Sequence, residues 1–163
     1  MSLKQTVFDF TVKDAANKDL SLCLYKGKAL LIMNVASKCG FTQGGYTTAN
    51  ELLRKYKSVG FDVLAFPCNQ FAKQEPGDAA SIQKFACEIM KAEFDILSKI
   101  DVNGSNASPL WEFLKESIPG VMGTKAIKWN FTMFLCDRDG VPRHRYSPGT
   151  KTEEIEKDLQ KLI

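Results

Sequence analysis

The sequence predicts an α/β fold, a β-sheet sandwiched by helices, because short apolar runs alternate with segments of helical periodicity. Residues 30–35 and 62–66 have the composition of buried strands, and residues 46–59 between them carry apolar side chains at helical spacing. Gly60 supplies the stop for that helix. These three segments therefore make a βαβ unit.

Helix caps and turn signals predict the remaining elements. In chain order they are a helix over residues 79–91 capped by Asp78, a strand over 96–100, a helix opened by Ser108 and Pro109 that ends near 117, a hairpin of strands 131–137 and 143–146 that turns at Asp139 and Gly140, and a helix from Thr152 to 162. Alternating residues over 6–12 and 20–24, with Asn17 in the polar connection, predict an N-terminal β-hairpin. This order is typical of a thioredoxin-like α/β sandwich with an added N-terminal hairpin and a middle insertion, expected as a single domain over residues 1–163.

The composition is that of an ordinary globular protein, with 44% hydrophobic and 25% charged residues. The net charge of +3 is mild and scattered, so nucleic acid is not an expected partner. No apolar run could span a bilayer, and the first residues lack one long enough for a secretory signal. We therefore expect a cytoplasmic location without stable membrane anchoring, or a mitochondrial one if a leader has been removed.

Five cysteines are spread along the chain: Cys23, Cys39, Cys68, Cys87 and Cys136. They include no C-x-x-C pair and no cluster with the spacing of zinc ligands. The single histidine, His144, lies in a strand-like segment rather than in a loop of active-site character. A metal site, another cofactor and a cysteine–histidine hydrolase are therefore not expected.

Cys39 lies where an apolar strand ends and a helix is about to begin. Backbone N–H groups at a helix N-terminus and the neighbouring Lys38 both favour the thiolate, which is the nucleophilic form of cysteine. A lone cysteine is more commonly a small apolar core residue. The loop position, with Lys38 and Gly40 on either side, favours a reactive thiol instead.

The other four cysteines differ in their expected environments. Cys87 lies off the apolar face of the helix over residues 79–91, which predicts an exposed thiol suited to exchange chemistry. Cys23 and Cys136 fall within predicted strands and are expected in the core. Cys68 lies at a strand end, where a buried packing role is favoured and a redox role stays open.

Three sequence blocks resemble the signature blocks of the glutathione peroxidase family. They read Asn-Val-Ala-Ser-Lys-Cys-Gly-Phe-Thr at 34–42, Leu-Ala-Phe-Pro-Cys-Asn-Gln-Phe-Ala-Lys-Gln-Glu-Pro-Gly at 64–77 and Lys-Trp-Asn-Phe at 128–131. Each block lies at the end of a strand, and the resemblance covers essentially the whole chain. The segment Phe-Ala-Cys-Glu at 85–88 is similar to the resolving-cysteine segment of the non-selenium (cysteine) members that use thioredoxin or tryparedoxin as reductant.

The resemblance implies a thiol peroxidase with the site residues Cys39, Gln74, Trp129 and Asn130. A thiolate that attacks a peroxide displaces an alkoxide or hydroxide, so the site needs N–H donors that stabilise S⁻ and then the leaving oxygen. Loops at strand ends can bring amide and indole donors to Cys39. From the residues alone, a solvated loop amide and a half-buried aromatic are the commoner roles for Gln74 and Trp129, and the matching motifs reverse that preference.

The resemblance also implies a two-cysteine cycle. Cys39 becomes a sulfenic acid, Cys87 condenses with it to a disulfide, and a thioredoxin-type dithiol protein such as tryparedoxin or thioredoxin reduces that bond. Hydrogen peroxide and organic or lipid hydroperoxides are the implied substrates. The short connection over 118–128 lacks the insertion that relatives use to form tetramers, so a monomer is expected. We expect the short helix over 79–91 to unwind around Cys87, with residues 92–95 providing slack.

Two other functions stay open at the level of sequence. A glutathione-dependent one-cysteine peroxidase would use Cys39 alone and leave Cys87 without a role. A redox relay would sense peroxide at Cys39 and pass the oxidation to a partner protein.

Overall fold

The structure, a computed structural model, describes residues 4–163, and its elements alternate as the sequence predicts. The strands are β1 (Thr11–Lys13), β2 (Asp19–Ser21), β3 (Ala29–Val35), β4 (Phe61–Pro67), β5 (Asp95–Ile96), β6 (Met133–Cys136) and β7 (Pro142–Tyr146). The α-helices are α1 (Thr42–Tyr56), α2 (Ala79–Lys84), α3 (Pro109–Ser117) and α4 (Thr152–Gln160). Within residues 4–163, no helix combines the length and apolar character needed to cross a membrane.

The central sheet has the strand order β5-β4-β3-β6-β7. β3 pairs in parallel with β4 and antiparallel with β6, while β4 pairs in parallel with β5 and β6 antiparallel with β7. The β3-α1-β4 unit is the predicted βαβ unit, and Gly60 ends its helical connection with a left-handed φ of 95°. This mixed sheet with helical layers confirms the predicted thioredoxin-like class.

The helices cover both faces of the sheet, because successive side chains of a strand point to opposite faces. Leu31 and Met33 of β3 face a core that α1 and α4 cover, whereas Leu30 and Ile32 face a second core against α3. All four of these side chains are fully buried. The carboxyl end of β3, where Cys39 follows, is therefore held rigidly between two packed layers.

The N-terminal hairpin is present but shorter than predicted. β1 and β2 pair antiparallel, with Val12 opposite Leu20. The flanking residues form 3₁₀ turns over Val7–Asp9 and Leu22–Tyr25 in place of strand. The predicted strand over 96–100 is likewise reduced to β5.

The prediction that Cys23 lies in the core is wrong. Ser21 caps the 3₁₀ turn by accepting a hydrogen bond from the Cys23 N–H, and the chain leaves the strand before Cys23. The Cys23 thiol is exposed as a result, and its Sγ accepts a hydrogen bond from Ser21 Oγ at 3.1 Å.

The helix predicted over residues 79–91 has two halves of different geometry. Asp78 caps it as predicted, since its Oδ1 accepts the Ser81 N–H at 2.9 Å. After Lys84 the α-helix changes to a π-helical turn over Phe85–Ile89. Such turns are rare and occur frequently at functional sites. Cys87 lies in the middle of this π-helical turn.

Candidate active site

Cys39 lies in the loop between β3 and α1 and is half-buried, as the sequence predicts. The Phe41 N–H donates to Cys39 Sγ at 3.4 Å, which provides one backbone donor for a thiolate. Thr42, the first residue of α1, fixes the loop. Its Oγ1 accepts the Cys39 N–H at 3.1 Å and donates to the Ala36 carbonyl at 2.7 Å.

Gln74 and Asn130 are brought together although they lie on different loops. Asn130 Nδ2 donates to Gln74 Oε1 at 2.9 Å. Asn130 is fully buried and Gln74 is half-buried. Because Oε1 of Gln74 is taken up by this bond, its Nε2 donor is left for a different partner.

Trp129 is held mainly through its backbone. Its carbonyl accepts hydrogen bonds from Asn34 Nδ2 at 3.2 Å and from Thr132 Oγ1 at 3.1 Å. Its half-buried ring packs against Phe71, with the ring centroids 5.9 Å apart. Two residues after Trp129, Phe131 has a left-handed φ of 63°, so the chain turns sharply between Asn130 and β6.

Asn34 is a site residue that sequence reasoning missed. Its side chain is fully buried in β3, and its Oδ1 accepts the Thr132 N–H at 3.1 Å. Its own carbonyl accepts the Phe131 N–H at 2.7 Å. A single amide thus ties the strand that leads to Cys39 to the loop that carries Trp129. The signal in the sequence was one polar residue inside an apolar strand, since a buried amide must be hydrogen-bonded.

Glu75 and Ser37 are a second pair that the sequence did not reveal. The Glu75 side chain is only 1% exposed, and its Oε1 accepts both the Ser37 N–H at 3.1 Å and the Ser37 Oγ–H at 2.5 Å. The neighbouring Lys38 N–H donates to the Gln74 carbonyl at 3.1 Å. These bonds join the Cys39 loop to the loop after β4. Burial raises the pKa of the Glu75 carboxyl, although the hydrogen bonds from Ser37 act in the opposite direction.

Cys87 lies outside this cluster but on an adjoining segment. Its thiol is exposed, as predicted. Phe85, at the start of the π-helical turn, lines one pocket of about 380 Å³ together with Ser37 and Lys38. The turn that carries Cys87 therefore borders the loop that carries Cys39.

The segment after the π-helical turn is less free than the sequence suggested. Lys91 ends the turn with a left-handed φ of 55°. Asn50 of α1 then donates to the Lys91 carbonyl at 3.1 Å and accepts the Glu93 N–H at 2.9 Å. Arg54 adds an ion pair to Glu93 at 2.5 Å. We refer to these contacts as the Asn50 clamp, and they hold residues 91–93 to α1 where slack was expected.

Cys68 and Cys136 are buried, as predicted. Burial raises the pKa of both thiols, which disfavours their thiolate forms. In the part of the chain that the structure describes, no group of three or more histidine, cysteine, aspartate or glutamate side chains could hold a metal ion.

Comparison with known proteins gives consistent matches along the chain. The family model described as "Glutathione peroxidase" matches residues 7–115. A "Probable phospholipid hydroperoxide glutathione peroxidase" of Citrus sinensis is 55% identical over 160 residues, which cover 98% of this chain and 95% of that protein. A mitochondrial relative of Arabidopsis thaliana, "Probable phospholipid hydroperoxide glutathione peroxidase 6", is 52% identical over 159 residues, which cover 98% of this chain and 68% of that protein.

Solved structures extend these matches to the fold. The crystal structure of T. cruzi GPX1 superposes with a TM-score of 0.81 at 56% identity, covering 97% of this chain and 96% of that one. A thioredoxin-family thiol:disulfide interchange protein of Chlorobium tepidum TLS gives a TM-score of 0.69 at 15% identity, covering 94% of this chain and 92% of that one. The second likeness concerns the fold alone.

Proposed function

Because the chain belongs to the glutathione peroxidase family and is a peroxidase, we propose that it works by a two-cysteine cycle in which Cys39 reacts with the hydroperoxide and Cys87 resolves the product. A thioredoxin-type dithiol protein, thioredoxin or tryparedoxin, completes the cycle. The substrates are hydrogen peroxide and organic hydroperoxides. Lipid hydroperoxides are included because close relatives are named for phospholipid hydroperoxides.

In the first step the Cys39 thiolate attacks one peroxide oxygen. The S–O bond forms to the peroxide oxygen that carries the hydrogen as the O–O bond breaks, and the departing alkoxide or hydroxide takes up a proton from solvent to become alcohol or water. The Phe41 N–H at 3.4 Å from Sγ supports the thiolate beforehand. The Gln74 Nε2 donor, whose orientation Asn130 fixes, and the Trp129 indole N–H supply further stabilisation as charge moves to the leaving oxygen.

In the second step the Cys87 sulfur attacks the sulfur of the Cys39 sulfenic acid. An S–S bond forms, and the hydroxyl group leaves as water. The observation that carries this step is the exposed Cys87 thiol in a π-helical turn that borders the Cys39 loop through Phe85. A helix this short would be marginal on its own, and local opening of such an element costs less than global unfolding.

The test compares peroxide consumption with glutathione and with a reduced thioredoxin as alternative electron donors. The wild-type protein should turn over faster with thioredoxin. Cys39→Ser should remove turnover with either donor and leave the fold intact. Cys87→Ser should consume one equivalent of peroxide and then stall with thioredoxin.

Cys23→Ser is the matched control, because Cys23 is also an exposed free thiol. It should behave as the wild type does. Full thioredoxin-dependent turnover by Cys87→Ser would refute the two-cysteine cycle, and preferred turnover with glutathione would favour a one-cysteine peroxidase.

A further inference from the structure

An open groove of about 720 Å³ lies beside Cys87. Only Gln83 and Cys87 of its lining come from the α2 and π-helical segment. The other lining residues belong to the stretches 14–25 and 92–97, which precede and follow that segment in the sequence. The groove walls therefore do not depend on the turn that must open when Cys87 reacts.

The floor of the groove is apolar and partly uncovered. Leu20, Leu24 and Phe94 line it; Leu24 is 69% exposed, Leu20 is half-buried and Phe94 is buried. An apolar groove with an uncovered leucine is characteristic of a protein interaction site.

The rim of the groove is acidic, although the chain as a whole carries a net charge of +3. Among the described residues that line it, Asp14, Glu93 and Asp95 are charged, and none is lysine, arginine or histidine. Arg54 neutralises Glu93. Within residues 4–163, neither Asp14 nor Asp95 takes part in an ion pair.

We propose that this groove is the docking surface for the dithiol protein that reduces the Cys39–Cys87 disulfide. The proposal rests on the two-cysteine function above. The partner's matching surface is apolar around its C-x-x-C pair and carries lysine or arginine at the edge. Charge complementarity of this kind raises the association rate and excludes wrong partners.

The exchange chemistry selects Cys87 as the sulfur under attack. The partner thiolate attacks Cys87 Sγ and a mixed disulfide forms. Cys39 leaves as a thiolate, to which the Phe41 N–H donates a hydrogen bond. The second partner thiol then loses its proton and attacks its own mixed disulfide. This releases the Cys87 thiolate, which takes up a proton, and leaves the partner oxidised. An attacking sulfur must approach in line with the S–S bond, so the partner surface has to cover residues next to Cys87.

The Asn50 clamp keeps Cys87 near the groove after oxidation. Residues 91–93 stay fixed to α1 through Asn50 and Arg54. Cys87 precedes Lys91 by four positions, so even a fully extended chain keeps it within about 14 Å of Lys91. The groove wall begins at the next residue, Ala92.

The experiment starts from oxidised protein in which peptide mapping has located the Cys39–Cys87 disulfide. Its second-order reduction by reduced thioredoxin is compared with that of Asp95→Lys, Leu24→Ser and the double variant. We expect each single change to lower the rate by about threefold or more and the double change by about tenfold or more at low salt. Added salt should raise the Asp95→Lys rate toward the wild-type rate.

Two controls separate docking from chemistry. Glu153→Lys makes the same charge change at an exposed position of α4, which does not line the groove, and should leave the rate unchanged. Dithiothreitol, which needs no docking surface, should reduce all variants equally. Unchanged thioredoxin rates in Asp95→Lys and Leu24→Ser would overturn the docking surface and leave the two-cysteine cycle standing. Absence of the Cys39–Cys87 disulfide would overturn both.

Discussion

The Asn130 side-chain amide donates to the side-chain carbonyl of Gln74 at 2.9 Å, across 56 positions of the chain. An isolated glutamine amide could present either its oxygen or its nitrogen to Cys39. The bond from Asn130 selects the nitrogen, because the oxygen is already paired. We therefore propose that Asn130 acts on the reaction by orienting the Gln74 amide.

Replacing Asn130 with alanine should slow the oxidation of Cys39 by about 10- to 100-fold. Loss of one oriented donor costs 10²- to 10³-fold in comparable sites, and the remaining donors share the charge here. Stopped-flow measurement of Cys39 oxidation by hydrogen peroxide tests this. Gln74→Ala, which removes the donor itself, should slow the step at least as much, and the double variant should be little slower than Gln74→Ala, because Asn130 acts by orienting that same donor. Fully multiplicative effects would show that the two amides act independently.

Trp129→Phe should also slow the oxidation of Cys39, because it removes the indole N–H and keeps most of the aromatic packing against Phe71. Trp111→Phe is the matched control. Trp111 is fully buried in α3, and its indole nitrogen has no hydrogen-bond partner within residues 4–163, so only packing is lost there. Trp111→Phe should lower the stability and leave the oxidation rate unchanged. Equal oxidation rates in Trp129→Phe and the wild type would restrict Trp129 to a structural role.

Peroxide oxidation should raise amide hydrogen exchange across residues 81–90 and leave residues 91–93 protected. Cys87 lies inside a helical turn and Cys39 in a separate loop. Because a disulfide requires the two Cα atoms within about 7 Å, we expect the first segment to unwind in the proposed cycle. The second is held by the Asn50 clamp. Exchange measured by mass spectrometry on reduced and oxidised protein tests this, and Asn50→Ala should extend the exchanging region through 91–93. No change over 81–90 on oxidation would contradict the opening.

Glu75 should make the stability of the protein depend on pH. Burial raises the pKa of its carboxyl above the ordinary value of 4.5, so the native state keeps the proton to higher pH than the unfolded chain. The native state then binds more protons in this window, and the free energy of unfolding falls as the pH rises above about 4.5 through the native pKa. Glu75→Gln keeps an oxygen acceptor for Ser37 and should remove this part of the pH dependence. Urea denaturation of both proteins at a series of pH values measures it, and parallel profiles would contradict the assignment.

Local signals made much of the fold predictable. The apolar runs of β3 and β4, the stop at Gly60 and the cap at Asp78 act within a few residues, and each lies where the sequence indicated. The exposed Cys87 and the buried Cys136 followed from their positions relative to the apolar face of a helix or strand.

Contacts between distant residues were not predictable in the same way. Ser37 and Glu75 are 38 positions apart, and Asn50 is 41 positions from Lys91. The local sequence around these residues contains no signal for such distant partners. The position of Cys23 depends on the 3₁₀ turn over Leu22–Tyr25, which Ser21 caps and which the alternating sequence pattern did not indicate. Phe85 and Ala86, at the start of the π-helical turn, pack against the core, and helix propensity does not encode such long-range packing.

The π-helical turn is only shallowly buried, so its open conformer has an appreciable equilibrium population. Ala86 is its only fully buried residue, and Phe85 is half-buried with its ring 6.4 Å from that of Tyr46. Exposing one methyl group and half of a phenylalanine costs about 1.5–2.3 kcal/mol. By this burial alone, roughly one molecule in ten to one in fifty would have the turn open at equilibrium before any peroxide arrives. In the two-cysteine cycle that we propose, a sulfenic acid formed at Cys39 would meet a conformer that the reduced protein already samples, and the opening rate of this turn would set the upper limit on how fast Cys87 captures it.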